Sequence, residues 1–354
     1  MFGSRHLLAL ALLTVACAGD DESTTTMAAS AATSDGETGI PSAETMSDDG
    51  ADDTTSADAA TEEDSESSSG GATEDDAEGT AVDGCETIDP DQPWLADYTD
   101  EVVRRLTGME EALPGVTLGV RESLAERTAT GDYLLAEFAA LGLDATEHAY
   151  SATGRNVYAT LAATDGGEAI HVLGAHFDTV PQSPGANDNA TGVALVLATA
   201  RYLRDVPCRS ANVIFVLFDE EEIGLVGSDA FAAFLDAQQL PIASVHTIDQ
   251  MGWDADGDRT VELERADEGL FEGYAQAVQA YDLSVPLTPT NTGFTDHVSF
   301  RAYGFDAVGL TEEFVSGDTT PHYHQPSDTY PTVDLAYLQS TAVLLHAMFA
   351  DIVG

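Results

Sequence analysis

Residues 212–222 read NVIFVLFDEEE: after Asn212 come six apolar residues in an unbroken run, then four acids. Successive strand residues point to opposite faces, so a run with no polar alternation needs apolar cover on both sides of its sheet. Helices packed above and below supply that cover in layered α/β domains. NVYATLAA (156–163), AIHVLGAHFD (169–178), IASVHTIDQMGW (242–253) and DAVGLTEE (306–313) read as further strands. Helical spacing marks WLADYTDEVVRRL (94–106), ATGDYLLAEFAALG (129–142, closed by Gly142), GVALVLATARYLRDV (192–206), GLVGSDAFAAFLDAQ (224–238) and DLAYLQSTAVLLHAMFADIV (334–353). Ligands of such sheets collect at the carboxyl ends of the strands. There His176 and Asp178 end one strand, Glu220, Glu221 and Glu222 end the next, and Asp249 ends a third.

The N-terminal quarter carries no such patterning. Residues 1–17, MFGSRHLLALALLTVAC, set Arg5 and His6 before an apolar stretch and end at a small residue and a cysteine. That is the layout of a secretory signal peptide, too short to span a bilayer. Its ending LLTVAC resembles a bacterial lipobox, which implies a lipid on Cys17; plain secretion is the alternative. Residues 18–84 hold 20 Asp and Glu with no Arg or Lys, too little apolar surface to offset chain entropy, so we expect a disordered acidic, Ser/Thr-rich linker. Residues 85–354 are then expected to form the folded domain of an exported protein, a cell-envelope lipoprotein or a secreted one, of a bacterial, Gram-negative cell.

That domain holds 43 acidic and 11 basic residues, which makes nucleic acid and anionic membranes poor partners. Membrane contact is expected only through the lipid on Cys17. The chain has no lysine, which excludes Schiff-base chemistry, pyridoxal phosphate attachment and a Walker lysine. Cys85 and Cys208 lie in no C-x-x-C or Cys-His pattern, and an oxidising destination suits a disulfide between them.

At the strand ends, His176 and Asp178 sit two apart on an extended segment and share a face, where the carboxylate can hold the imidazole in one tautomer. In SPGANDNATG (183–192) a turn at Pro184 and Gly185 can return Asp188 over the strand end. Three adjacent acids at a buried strand terminus repel one another and lose hydration. With Arg209 the one cation near in sequence, bound metal is the economical compensation.

GAHFD, GANDNATG, FDEEEIGLVGS, IDQMG, TDHVSF and YHQPSDT together resemble the ordered motif set of the co-catalytic zinc aminopeptidase family. That family includes secreted bacterial leucyl aminopeptidases and, more distantly, glutamate carboxypeptidase, glutaminyl cyclase and the transferrin receptor. The likeness covers roughly residues 115–345. It implies an α/β fold of three layers, helix–sheet–helix, with a mixed, mostly parallel central sheet. It also implies a monomer with two zinc ions, acting on peptides with a free N-terminus. Asp188 would bridge the ions, His176 and Asp249 would complete one ligand set, and Glu222 and His324 the other. Glu221 would be the general base, Asp178 the partner of His176, and Tyr323 a group polarising the substrate carbonyl. Glu221 and Asp249 would hold the substrate α-ammonium. A charge count agrees, since two divalent ions are neutralised by Asp188, Glu222, Asp249 and one bridging hydroxide.

Three rivals remain on the same fold. A neighbouring H-x-D peptidase family would make the chain a carboxypeptidase or deacylase, but the 75 positions from Asp249 to His324 leave no room for its dimerisation domain. A glutaminyl cyclase works with one zinc, and an inactive surface binding protein needs no Glu221. His322 could replace His324 if the loop register differs. Asp296 and His297 are expected to support loop packing, DADGD (254–258) to form a solvated hairpin turn, and His148, His171 and His246 to be structural.

Overall fold

A computed structural model describes residues 85–354. The signal segment, Cys17 and the acidic linker lie outside the described residues. In chain order the elements are α1 (Leu95–Leu106), β1 (Glu111–Leu113), β2 (Val116–Thr117), α2 (Leu124–Ala140), β3 (Ala145–Ala149), β4 (Arg155–Leu161), β5 (Ile170–His176), α3 (Gly192–Asp205), β6 (Asn212–Phe218), α4 (Val226–Gln238), β7 (Ile242–Ile248), β8 (Val261–Glu264), α5 (Glu268–Ala280), β9 (Leu287–Thr290), α6 (His297–Ala302), β10 (Ala307–Thr311) and α7 (Leu335–Val353).

Eight strands form one sheet in the order β3-β4-β6-β5-β7-β10-β8-β9. Its centre, β6-β5-β7-β10, is parallel. β4 and β3 continue antiparallel at one edge, and β8 joins β10 antiparallel at the other, followed by a parallel β9. The mixed, mostly parallel sheet thus matches expectation. The two-faced burial of β6 is also direct: Val213, Phe215 and Leu217 enter one apolar cluster with α1, α2, α3, α5 and α7. Ile214, Val216 and Phe218 enter a second with α4 and α6. Helices therefore cover both faces.

Several elements escape sequence patterning. β3 (ATEHA) is an edge strand with little burial, and β9 carries Pro289, a residue that edges tolerate. β8 (VELE) alternates like a half-exposed strand, yet all four residues are buried. α2 begins at Leu124, ahead of the patterned stretch, because Ser123 and Glu126 form a capping box in which each side chain accepts the other's backbone N–H.

Cys85 and Cys208 are disulfide-bonded, with Cα atoms 5.4 Å apart. The bond ties the start of the described residues to the loop between α3 and β6, across 123 positions. Closing so long a loop restricts the unfolded chain, so a Cys85→Ser/Cys208→Ser protein is expected to lose about 3 kcal/mol and to melt about 6 °C lower. An unchanged melting temperature by calorimetry would refute this.

Candidate metal centre

Because β5, β6 and β7 run parallel, their carboxyl ends deliver polar residues to one edge of the sheet. His176 is the last residue of β5 and Asp249 follows β7 directly. Asp219 to Glu222 follow β6. The loop after β5 then doubles back to bring Asp188 over these ends. Asp328 holds it there by accepting the backbone N–H groups of Asn187 (2.8 Å) and Asp188 (3.1 Å). Asn189 donates to the Ile248 carbonyl at 2.8 Å and accepts from the N–H groups of Gly192 and Gln250. Any side chain at position 192 would strike it, since a Cβ there would lie 2.3 Å from Asn189 Oδ1.

Two donor sets meet at Asp188. Its Oδ1 lies 3.2 Å from His176 Nε2, which is also 3.3 Å from Asp249 Oδ1. Its Oδ2 lies 3.4 Å from His324 Nε2, which is 3.2 Å from Glu222 Oε2. A tetrahedral zinc with ligands at about 2.0–2.1 Å has ligand–ligand edges of about 3.3–3.4 Å. The four imidazole–carboxylate separations are compatible with a metal ion at each donor set. His322 takes no part: its Nδ1 pairs with Ser327 at 2.9 Å.

The electrostatics make the same demand. Burial opposes charge on His176, but Glu221, Asp249, Asp178 and Asp188 outweigh it and raise its pKa well above the usual imidazole value. Hydrogen bonds to Asp188 and Glu222 push His324 up to about 10. Burial, reinforced by repulsion from Asp249, Asp296 and Asp178, pushes Glu221 up to about 10. Burial works against the Asp188 carboxylate too, yet hydrogen bonds to both histidines keep its pKa below the ordinary value. The side chains alone balance their charge only by protonating imidazoles and Glu221. Divalent cations meet that demand while leaving the imidazole nitrogens free to coordinate.

Asp178 does more than face His176. His176 Nδ1 is 3.3 Å from the Asp178 main-chain oxygen and 3.6 Å from its carboxylate. The carboxylate oxygens accept the backbone N–H groups of Glu221 (3.0 Å) and Glu222 (3.2 Å), fixing the turn that presents both glutamates. Tyr323 stacks on His324, ring centroids 3.8 Å apart, and burial near four acids raises its pKa, so it stays a neutral donor. Glu221, Glu222, Asp249, Tyr323 and His324 line one cavity of about 220 Å³.

The compensation read from sequence needs correction in one respect. Arg209 is remote and donates to the carbonyls of Ala162, Leu203 and Val206. Arg127 of α2 is the cation that arrives, 2.7 Å from Asp219 and 2.9 Å from Glu220. Arg127 shares its one charge between those two acids and Tyr150 donates to Glu220 at 3.3 Å, while Glu221 and Glu222 face the cavity. A second arginine, Arg121, is fully buried behind the loop that carries Asp188. Glu312 is likewise buried and accepts from Asn187, Gly252 and Trp253. Sequence reasoning singled out neither, nor Asp328. The one available signal for Asp328 was its place in YHQPSDT.

Several further histidines pack against or bond neighbouring side chains. His148 lies 4.7 Å from the Phe234 ring, His171 bonds Ser244, and His246 bonds Ser244 and Tyr274. His297 Nδ1 meets Thr295 at 2.8 Å. Asp296 is buried, and that burial lifts its pKa to about 7. In DADGD, Asp254, Asp256 and Asp258 each accept backbone N–H groups of their own turn.

Residues 156–349 match the sequence profile of peptidase family M28. The chain belongs to that family. Aminopeptidase YwaD of Bacillus subtilis is 32% identical over 182 residues, 49% of this chain and 39% of that protein. The probable lipoprotein aminopeptidase LpqL of Mycobacterium tuberculosis is 33% identical over 211 residues, 51% of this chain and 42% of that protein. The chain thus spans about two fifths of the length of these two relatives. The structure of BSAP, a zinc aminopeptidase from Bacillus subtilis, superposes with a TM-score of 0.51 at 27% identity, covering 56% of this chain and 50% of that one.

Proposed function

We propose that this M28 peptidase is a metal-dependent aminopeptidase that removes the first residue of peptides with a free N-terminus. The observation that carries the reading is the splitting of the Asp188 carboxylate between two imidazole-containing donor sets. His176, Asp188 and Asp249 would hold one zinc ion, and Asp188, Glu222 and His324 the second. Such a pair, when bound, lowers the pKa of water, polarises a carbonyl and stabilises the developing oxyanion.

The remaining chemistry falls to side chains. Glu221, at the cavity wall but outside the two sets that share Asp188, takes the proton of the attacking water and returns it to the leaving amine. Asp178 positions Glu221 through its backbone. Tyr323 donates to the substrate carbonyl oxygen. The carboxylates of Glu221 and Asp249 receive the α-ammonium, which confines cleavage to the first peptide bond. Export through residues 1–17 and lipid on Cys17, which the lipoprotein relative favours, complete the proposal together with a linker over 18–84 and a monomeric catalytic domain over 85–354.

The test is a panel of aminoacyl-p-nitroanilides beside their N-acetylated copies, before and after dialysis against a chelator. We expect turnover of the free amines alone, lost on dialysis and restored by zinc. Cleavage of the blocked copies at equal rates, or full turnover by chelated protein of verified zero metal content, would sink the reading.

A further inference from the structure

Beyond the donor atoms, the cavity reaches a buried carboxylate that the proposed chemistry leaves unused. Glu264 ends β8 and is 2% exposed, yet it lines the cavity together with Thr311 and the rings of Phe294 and Phe314. Its neighbour two residues back shows what a satisfied acid looks like at this edge. Glu262 accepts the N–H of Val315 (3.1 Å), the N–H of Ser316 (2.7 Å) and the Ser316 hydroxyl (2.6 Å). Glu264 accepts from hydroxyls alone, those of Thr295 at 2.7 Å and Thr292. His297 Nδ1 lies 3.5 Å away, but burial and the charges of Arg265 and Arg301 push that imidazole down to about 4, so it is neutral. Among the described residues no arginine pairs with Glu264. The facing strand makes room for it: a Cβ at Gly309 would fall 2.6 Å from Glu264 Oε2.

A carboxylate held inside a protein without a cation is costly, and removing its hydration favours any ligand that brings the missing charge. Aromatic walls leading to an anionic end suit a long side chain with an apolar stem and a cationic head. We infer that this pocket selects peptides whose first residue is basic, with Glu264 receiving the guanidinium or ammonium head between the Phe294 and Phe314 rings. The inference rests on the aminopeptidase reading and names its substrate class.

The test compares pairs of matched shape and different charge: the p-nitroanilides of arginine against citrulline, and of lysine against norleucine. We expect the charged member to be preferred by at least about tenfold in kcat/KM. The preference should persist at about 1 M salt, where the Debye length of about 3 Å screens attraction by the acidic surface at large. Glu264→Gln should bring both ratios close to one, while Glu268→Gln, an exposed acid on α5, should leave them alone. A wild-type ratio near one, a ratio that vanishes in high salt, or one that survives Glu264→Gln while all four rates fall together would each overturn the inference. The last pattern would place Glu264 at the α-ammonium instead. Should Glu264→Gln fail to fold, the wild-type ratios in high salt decide alone. Turnover of norleucine without charge preference defeats only this inference, whereas turnover of none of the four substrates defeats the aminopeptidase reading with it.

Discussion

Glu221→Gln is expected to lower kcat by about 10³-fold while the zinc content of the purified protein stays unchanged. The carboxylate sits at the cavity wall, and its backbone is held by Asp178 at 3.0 Å, so glutamine can occupy the same place without disturbing the turn. It cannot accept a proton. A ligand role competes with this one, because Glu221 approaches His176 and Glu222 closely enough to coordinate an ion with them. Elemental analysis separates the two roles. A base leaves metal content intact on substitution, whereas a ligand takes metal with it. Asp188→Ala, which removes the carboxylate common to both donor sets, should lose metal and activity together. A Glu221→Gln enzyme with wild-type turnover would end the assignment.

The largest effect on stability is expected at Arg121. Its guanidinium is fully buried and has no carboxylate in contact; it donates instead to five main-chain carbonyls, those of Phe177, Leu106, Gly119, Pro184 and Gly185, at 2.6 to 3.1 Å. Three of these belong to the segment between the end of β5 and Asp188. Burial lowers its pKa to about 10, against the pull of Asp328, Asp178, Asp188 and Glu222, so it remains charged near neutrality. Arg121→Met fills similar space and strands those carbonyls without donors. The expected loss is about 4 kcal/mol, or a melting temperature lower by about 8 °C. Because the segment carries Asp188, zinc affinity should fall as well, read by competition with a chromogenic chelator. A variant that melts and binds zinc like the parent would show that the carbonyls find other donors.

Much of this protein is legible one segment at a time. Two-sided burial of NVIFVLF is a property of the segment, because alternation of side chains is geometric and needs no knowledge of neighbours. The candidate donors His176, Glu221, Glu222 and Asp249 were visible for a related reason: His176 ends an apolar strand, Asp249 follows one directly, Glu221 and Glu222 lie within four residues of the end of a third, and parallel strands bring their ends together. β8 was not visible, since VELE has the pattern of a half-exposed strand, and its glutamate face is covered by Val315 and Ser316 at Glu262 and by Thr295 and His297 at Glu264.

Partnership is the part that only tertiary structure decided. The motif resemblance leaves Glu220 without a role, but what it pairs with is not legible nearby: Arg127, 93 positions away, lies 2.9 Å from it. Asp328 reaches Asp188 from 140 positions away, and Arg121 ties carbonyls of the loop that leads to Asp188 to those of Leu106 and Gly119. Hydrogen bonds and ion pairs act over about 3 Å whatever the separation along the chain. Residue types and their periodicity therefore set out which groups would gather at the sheet edge, while the folded arrangement of strands and loops settled which of them meet.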